Sequence, residues 1–222
     1  ENLESLRLMV FSQGVSEAMA ARDIDTLETL LLPVMVNNSI DFVVAVDPSG
    51  IGISTWGLEK GGDTYLRAEG HDFSAIPLVA NILDGTPDAI GDKYVGFLDP
   101  SIGRVLATSA PVYDSQGTLT GVLIVGSLVE QMVQEIKTQA LAQLILVDLD
   151  EVLISTTVPL LGDTRVLLEQ ASAQANASPS PQPIDTFLNE QPYQIWFVDL
   201  PLRGQTVGHL GVALPNSYAV SE

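Results

Sequence analysis

The chain has 222 residues, 46% hydrophobic and 17% charged, which is the composition of a folded chain with a core and excludes a disordered one. Its 28 acidic and 9 basic residues give a net charge of −19, so nucleic acid and an anionic membrane surface would be repelled. The absence of cysteine excludes disulfides, thiolate catalysis and cysteine-ligated zinc.

Leu3, Leu6, Val10, Val15, Ala18 and Met19 follow helical spacing, with Glu4, Arg7, Gln13 and Glu17 between them. "DTLE" at 25–28 has the pattern of a capping box, Asp25 with Glu28, ahead of Leu27, Leu30, Leu31 and Met35. The segment predicts one long N-terminal helix, or two in tandem. A continuous helix of ~35 residues would span roughly 50 Å.

"DFVVAVDPSG" then predicts a strand and turn, and "IGISTW" the returning strand. The glycine-rich, polar residues 57–72 read as a long loop, and "FSAIPLVANILDG" as a short helix stopped by Gly85. "KYVGFL", "RVLATSAPVY" and "LTGVLIVG" read as three strands, the last two joined by a tight turn at "DSQG". "SLVEQMVQEIKTQAL" follows as a helix, with Ser127 and Glu130 as its capping box.

The pattern then restarts. Residues 46–55, VDPSGIGIST, and 147–156, VDLDEVLIST, share Val, Asp, Ile, Ser and Thr without a gap. "TRVLLEQASAQA" predicts a helix, "SPSPQP" a loop, and "PYQIWFVDLPL" with "TVGHLGVAL" an antiparallel pair. "TGVLIV" has its counterpart in "VGHLGV", and Pro111 in Pro201. The second half is read as an abridged repeat of the first.

"LILVDLDEVL" resembles the first motif of the haloacid-dehalogenase superfamily, where an Asp-x-Asp after an apolar strand supplies a nucleophile and an acid/base beside Mg²⁺. That resemblance would make Asp148 a phosphotransferase nucleophile. The chemistry also needs a downstream lysine, but Lys60, Lys93 and Lys137 all precede Asp148, and residues 151–222 are too few for that fold. The repeat places Asp47 where Asp148 stands, in a turn, so both aspartates are read as turn caps and the chain as no enzyme. Calcium at Asp148, Asp150 and Glu151 is the other reading of this stretch. HExxH, GxSxG and Walker A motifs are absent.

"VLATSAPVYDSQGTLTGVLIVGSLVEQMV" (105–133), with the two opening hairpins, resembles the double Cache domain, the extracytoplasmic sensor of bacterial transmembrane receptors. The resemblance implies an α+β fold, a long N-terminal helix carrying two PAS-like modules, each an antiparallel sheet with covering helices. It divides the chain into a stalk at 1–36, a membrane-distal module at 37–127, a connecting helix at 128–140 and a smaller membrane-proximal module at 141–222. It implies a receptor of the histidine kinase, chemoreceptor or cyclic-nucleotide-enzyme kind, with a small-molecule ligand in the distal module and a helix displacement passed across the membrane. Homodimerisation through the N-terminal helix and membrane helices outside this chain belong to the same expectation. No apolar run here reaches the ~18 residues needed to span a bilayer. The start at Glu1 and the end at "PNSYAVSE" read as an excised piece. The alternative is a ligand-free dimerisation or protein-interaction module of such a receptor.

Ser127 stands where amino-acid-binding members of the family place an amine-holding aspartate. A PAS-like pocket would draw on Trp56, Tyr65, Arg67, His71, Phe73, Tyr94, Phe97 and Thr108, with Arg67 holding a carboxylate. Lys60, Arg67, Lys93 and Arg104 in this module favour an anionic ligand. Neither cofactor nor metal is expected.

Overall fold

The computed structural model describes residues 2–59, 61–87, 91–140, 142–176, 182–202 and 204–216. The chain divides into two units, Glu1–Leu128 and Val129–Glu222.

The first unit opens with α1 (Asn2–Val10), α2 (Val15–Ala21) and α3 (Ile24–Asn37). Neither the one long helix nor the two in tandem expected from the sequence is formed; three short helices are. Gly14 (φ 93°), the N-cap of α2, and Arg22 (φ 54°), its C-cap, both adopt the left-handed conformation, which a continuous right-handed helix does not pass through. The cap of α3 is Asp23, which accepts the Thr26 N–H at 3.1 Å, and Asp25 sits in the first turn instead. Each helix turns its own apolar stripe inward, burying Leu6, Met9, Val15, Met19, Leu27, Leu31 and Met35.

These helices cover one face of a sheet made by β1 (Phe42–Val46), β2 (Gly52–Leu58), β3 (Tyr65–Ala68), β4 (Tyr94–Leu98), β5 (Val105–Tyr113) and β6 (Leu119–Leu128). The spatial order is β3-β2-β1-β6-β5-β4, with every neighbouring pair antiparallel. Successive side chains alternate between faces. Val43, Ala45, Trp56, Leu123 and Val125 meet the N-terminal helices. Phe42, Val44, Val46, Tyr94, Val105 and Ile124 meet α4 (Pro77–Leu83) through Leu78, Val79 and Ile82. All five β1 residues are buried, as a strand covered on both faces requires.

Ser127 does not cap a helix. The sheet ladder runs through it, pairing it with Leu106, and its hydroxyl donates to Asn2 Oδ1 at 2.9 Å.

The second unit holds α5 (Val129–Gln139), β7 (Gln143–Val147), β8 (Leu153–Thr156), α6 (Thr164–Asn176), β9 (Ile184–Leu188), β10 (Gln191–Leu202) and β11 (Gln205–Pro215). Its sheet order, β8-β7-β11-β10-β9, reproduces β2-β1-β6-β5-β4 of the first unit. Ile145, Val147, Leu153, Leu168, Ala171, Ile195 and Phe197 form its core. The repeat read from the sequence is present, with one anchor displaced. Pro111 pairs with Val122, beside Gly121, whereas Pro201 pairs with Thr206; the residue in the place of Pro111 is Asp199, paired with His209 beside Gly208. The "SPSPQP" loop falls largely outside the described residues.

Candidate functional site

A cavity of about 340 Å³ opens on the α4 side of the first sheet. Phe42, Thr55 and Ala68 form its floor, one from each of β1, β2 and β3. Thr55 pairs with both Val44 and Ala68, so alternation brings these side chains to one face. His71, Phe73 and Ile76 form one wall, and Leu98 at the end of β4 with Asp99, Pro100 and Ser101 after it another.

Main-chain bonds fix the wall that carries His71 and Phe73. The Gly52 N–H donates to His71 O at 2.8 Å, Gly70 to Gly52 O at 3.0 Å and Phe73 to Gly50 O at 2.8 Å. A β-carbon on Gly52 would come within 3.0 Å of the Phe73 ring, so a glycine here lets the segment lie close on β2. Asp72 accepts the Ser74 N–H at 2.8 Å, and hydrogen bonds from Ser74 hold its carboxyl below the usual carboxylate range. Across the cavity Asp99 takes two parallel bonds from Arg104, 2.6 Å to Nε and 2.9 Å to Nη2. The Arg104 bonds lower the Asp99 carboxyl, against the opposing effect of burial.

The eight residues proposed from the sequence do not gather in one place. His71 and Phe73 line the cavity, their rings edge to face with centroids 4.8 Å apart. Tyr94 lies buried on the same face without lining it, and its hydroxyl donates to Thr86 O. Trp56, Tyr65 and Arg67 point to the opposite face. Trp56 belongs to the core under the N-terminal helices, with Nε1 3.4 Å from Glu28 Oε2. The Tyr65 hydroxyl donates to Ile40 O at 2.8 Å. Arg67 lies 3.2 Å from Glu28, 3.7 Å from Asp25 and 3.5 Å from Glu69. Phe97 and Thr108, paired with Leu106 and Val125, alternate to that same face. Lys60 lies outside the described residues.

Phe42, Thr55, Ala68, Ile76 and the 98–101 segment were absent from the sequence-based set. Thr55 neighbours Trp56 and Ala68 neighbours Arg67, so the two-residue period carried a signal once the direction of one side chain was known.

Asp47 and Asp148 sit in matching turns. Asp47 Oδ1 accepts from Ser49 N at 2.8 Å and Ile51 N at 3.0 Å; Asp148 Oδ1 accepts from Asp150 N at 3.0 Å and Val152 N at 2.9 Å. Among the described residues no group of three or more His, Asp or Glu side chains is arranged to hold a metal ion. Among them, too, no helix is long and apolar enough to cross a membrane.

No family model and no curated protein sequence matches the chain. Solved structures do. A domain of a sensory box/GGDEF family protein from Vibrio parahaemolyticus superposes with TM-score 0.67 at 14% identity, covering 97% of this chain and 87% of that one. The extracellular domain of a histidine kinase, vpHK1S-Z8, gives 0.64 at 15% identity, covering 95% and 85%. The chain has the fold of bacterial receptor sensor domains. The ligand-binding domain of the Campylobacter jejuni chemoreceptor Tlp3, in complex with 4-methylisoleucine, shares this sensor fold with TM-score 0.61 at 13% identity, covering 100% and 83%. At the level of fold this agrees with the double Cache resemblance carried by residues 105–133.

Proposed function

We propose that this chain is the extracytoplasmic ligand-sensing domain of a bacterial signal-transduction receptor, and that it binds a small molecule, without catalysis, in the cavity lined by Thr55, His71 and Phe73. The observation that carries this reading is a concave, largely apolar site with a few polar groups, set in a fold whose solved relatives include ligand-binding sensor domains. Phe42 lines the cavity, and its neighbour Asp41 accepts the N–H of Leu128 at 2.7 Å. Leu128 ends the first unit, so a displacement of β1 is coupled to the point where the chain leaves it. A ligand shifts that point by binding two arrangements with different affinity. Dimerisation through the N-terminal helices is part of the proposal, and exposed Leu8 and Phe11 on the outside of the helical layer support it.

The experiment is a thermal-shift screen of the chain and its Thr55→Trp variant against small carboxylates, amino acids, amines, nucleobases and sugars. A ligand present at ~100 times its Kd stabilises by about 2.7 kcal/mol. A hit seen with the parent chain and lost in the filled variant supports the reading. A hit kept in the variant moves the site elsewhere. No hit at all favours the ligand-free interaction module.

A further inference from the structure

The distribution of charge around the cavity indicates what class of ligand it accepts, given the proposal that this cavity is the ligand site. Among the described lining residues four are polar: Thr55, His71, Asp99 and Ser101. Asp99 is matched by Arg104 through two hydrogen bonds, so the pair brings no net charge to the site. The unit's other described cations are placed elsewhere. Arg7 is on α1, beyond the sheet; Arg22 pairs with Asp47, Lys93 with Asp92, and Arg67 with acids on the opposite face. A carboxylate entering the cavity would lose part of its water and meet no uncommitted lysine or arginine among the described lining residues. An ammonium would meet no uncommitted carboxylate among the described lining residues. Either burial is costly, and the net charge of −19 adds to the cost for an anion.

The rest of the lining favours a different guest. Phe42, Phe73, Ile76, Leu98 and Pro100 present apolar surface, and His71 and Phe73 already make the edge-to-face contact that aromatic rings prefer. Thr55 and Ser101 have hydroxyls without a hydrogen-bond partner among the described residues, and each can donate or accept. A volume of about 340 Å³ is at the small end for such sites. From this we infer that the cavity takes a neutral, ring-sized, mainly apolar molecule carrying a single hydroxyl or amide group that Thr55 meets. The amine-and-carboxylate recognition of an amino-acid sensor is replaced here by shape and one hydrogen bond.

The test is ligand-observed NMR of the 222-residue chain with four benzene-ring probes: benzyl alcohol, benzoate, benzylamine and L-phenylalanine. Thr55→Trp and Ala68→Trp fill the cavity from two different strands, so either serves as control if the other fails to fold. The expected result is benzyl alcohol bound at least about tenfold more tightly than the charged probes, with its binding lost in a folded filled variant. A charged probe bound best, and lost in that variant, overturns the ligand class while leaving the site in place. Binding that survives filling overturns the site itself. Silence of all four probes overturns the ring-sized class, and the wider screen then decides the site.

Discussion

Gly121 and Gly208 occupy the same place in the two units. A β-carbon on Gly121 would lie 2.1 Å from Val46 O, and one on Gly208 would lie 2.3 Å from Val147 O. Val46 and Val147 end the first strands of the two opening hairpins, just before the turn aspartates Asp47 and Asp148, so each glycine lets its own strand lie close against that strand end. Neither obstacle is a movable side chain. Gly121→Ala and Gly208→Ala are each expected to cost roughly 2–4 kcal/mol, through forced backbone shifts. Trp56 and Trp196 report on separate units. Denaturant melts of single-tryptophan variants should show each substitution lowering only its own unit's transition, and an unchanged midpoint would remove the close approach from the account.

Asp47 gives a pH prediction. Burial pushes its carboxyl up, but bonds from the Ser49 hydroxyl and the Ser49 and Ile51 N–H groups, together with Arg22, outweigh that and hold it below the ordinary value of 3.8. A depressed folded-state value adds stability that is fully present above the unfolded-state value and is lost as pH falls through the folded one. Asp47→Ala should therefore cost about 1–3 kcal/mol near neutral pH. The gap in Tm between parent and variant should narrow on acidification through the region below about pH 4. A gap that stays constant to about pH 2 would leave the ionised state of Asp47 with no role in folding.

Trp56 and Arg67 are paired across β2 and β3, and both reach Glu28. The pairing separates two effects that a sequence reading merged. Trp56→Ala empties a fully buried site in the core under the helices and should cost about 3–5 kcal/mol. Arg67→Ala removes a 44% exposed side chain among exposed acids and should cost no more than ~1 kcal/mol. Neither side chain lines the cavity, so a folded Arg67→Ala variant should retain the affinity of any ligand bound beside Thr55 and Phe73. A large loss of affinity in that variant would bring the other face of the sheet back into the site.

The hairpins, the turns and the pairing of β5 with β6 were legible because alternation, Asx turns and apolar runs are local signals. β3 and β9 were not. "YLRA" is four residues inside a polar, glycine-rich stretch, and "IDTFL" follows a proline-serine run, so each is a strand through its neighbours in the sheet and not through its own pattern. The break at Arg22 was hidden for a related reason: an arginine in the left-handed conformation carries no glycine signal, and its ion pair with Asp47 joins residues far apart in sequence. The cavity was legible only in small part, for a geometric reason. Of the eight residues proposed from the sequence, His71 and Phe73 line it, because the face that each side chain takes depends on register and on which side the helices cover.

Ser54 and Ser109 offer a last contrast, since both are fully buried in the same unit. Ser109 donates to Leu78 O at 2.6 Å and so fastens α4 to β5 beside the cavity. Ser54 Oγ has no hydrogen-bond partner among the described residues. A buried hydroxyl without a partner has given up its water for nothing, whereas a satisfied one recovers part of that cost. Ser109→Ala should therefore destabilise the unit by about 1 kcal/mol, and Ser54→Ala should be neutral or mildly stabilising. The pair can be measured together by urea denaturation of the Trp56 signal. Equal losses in both variants would mean that Ser54 is satisfied by a bound water, and then Ser54→Val, which expels that water, should cost more than Ser54→Ala.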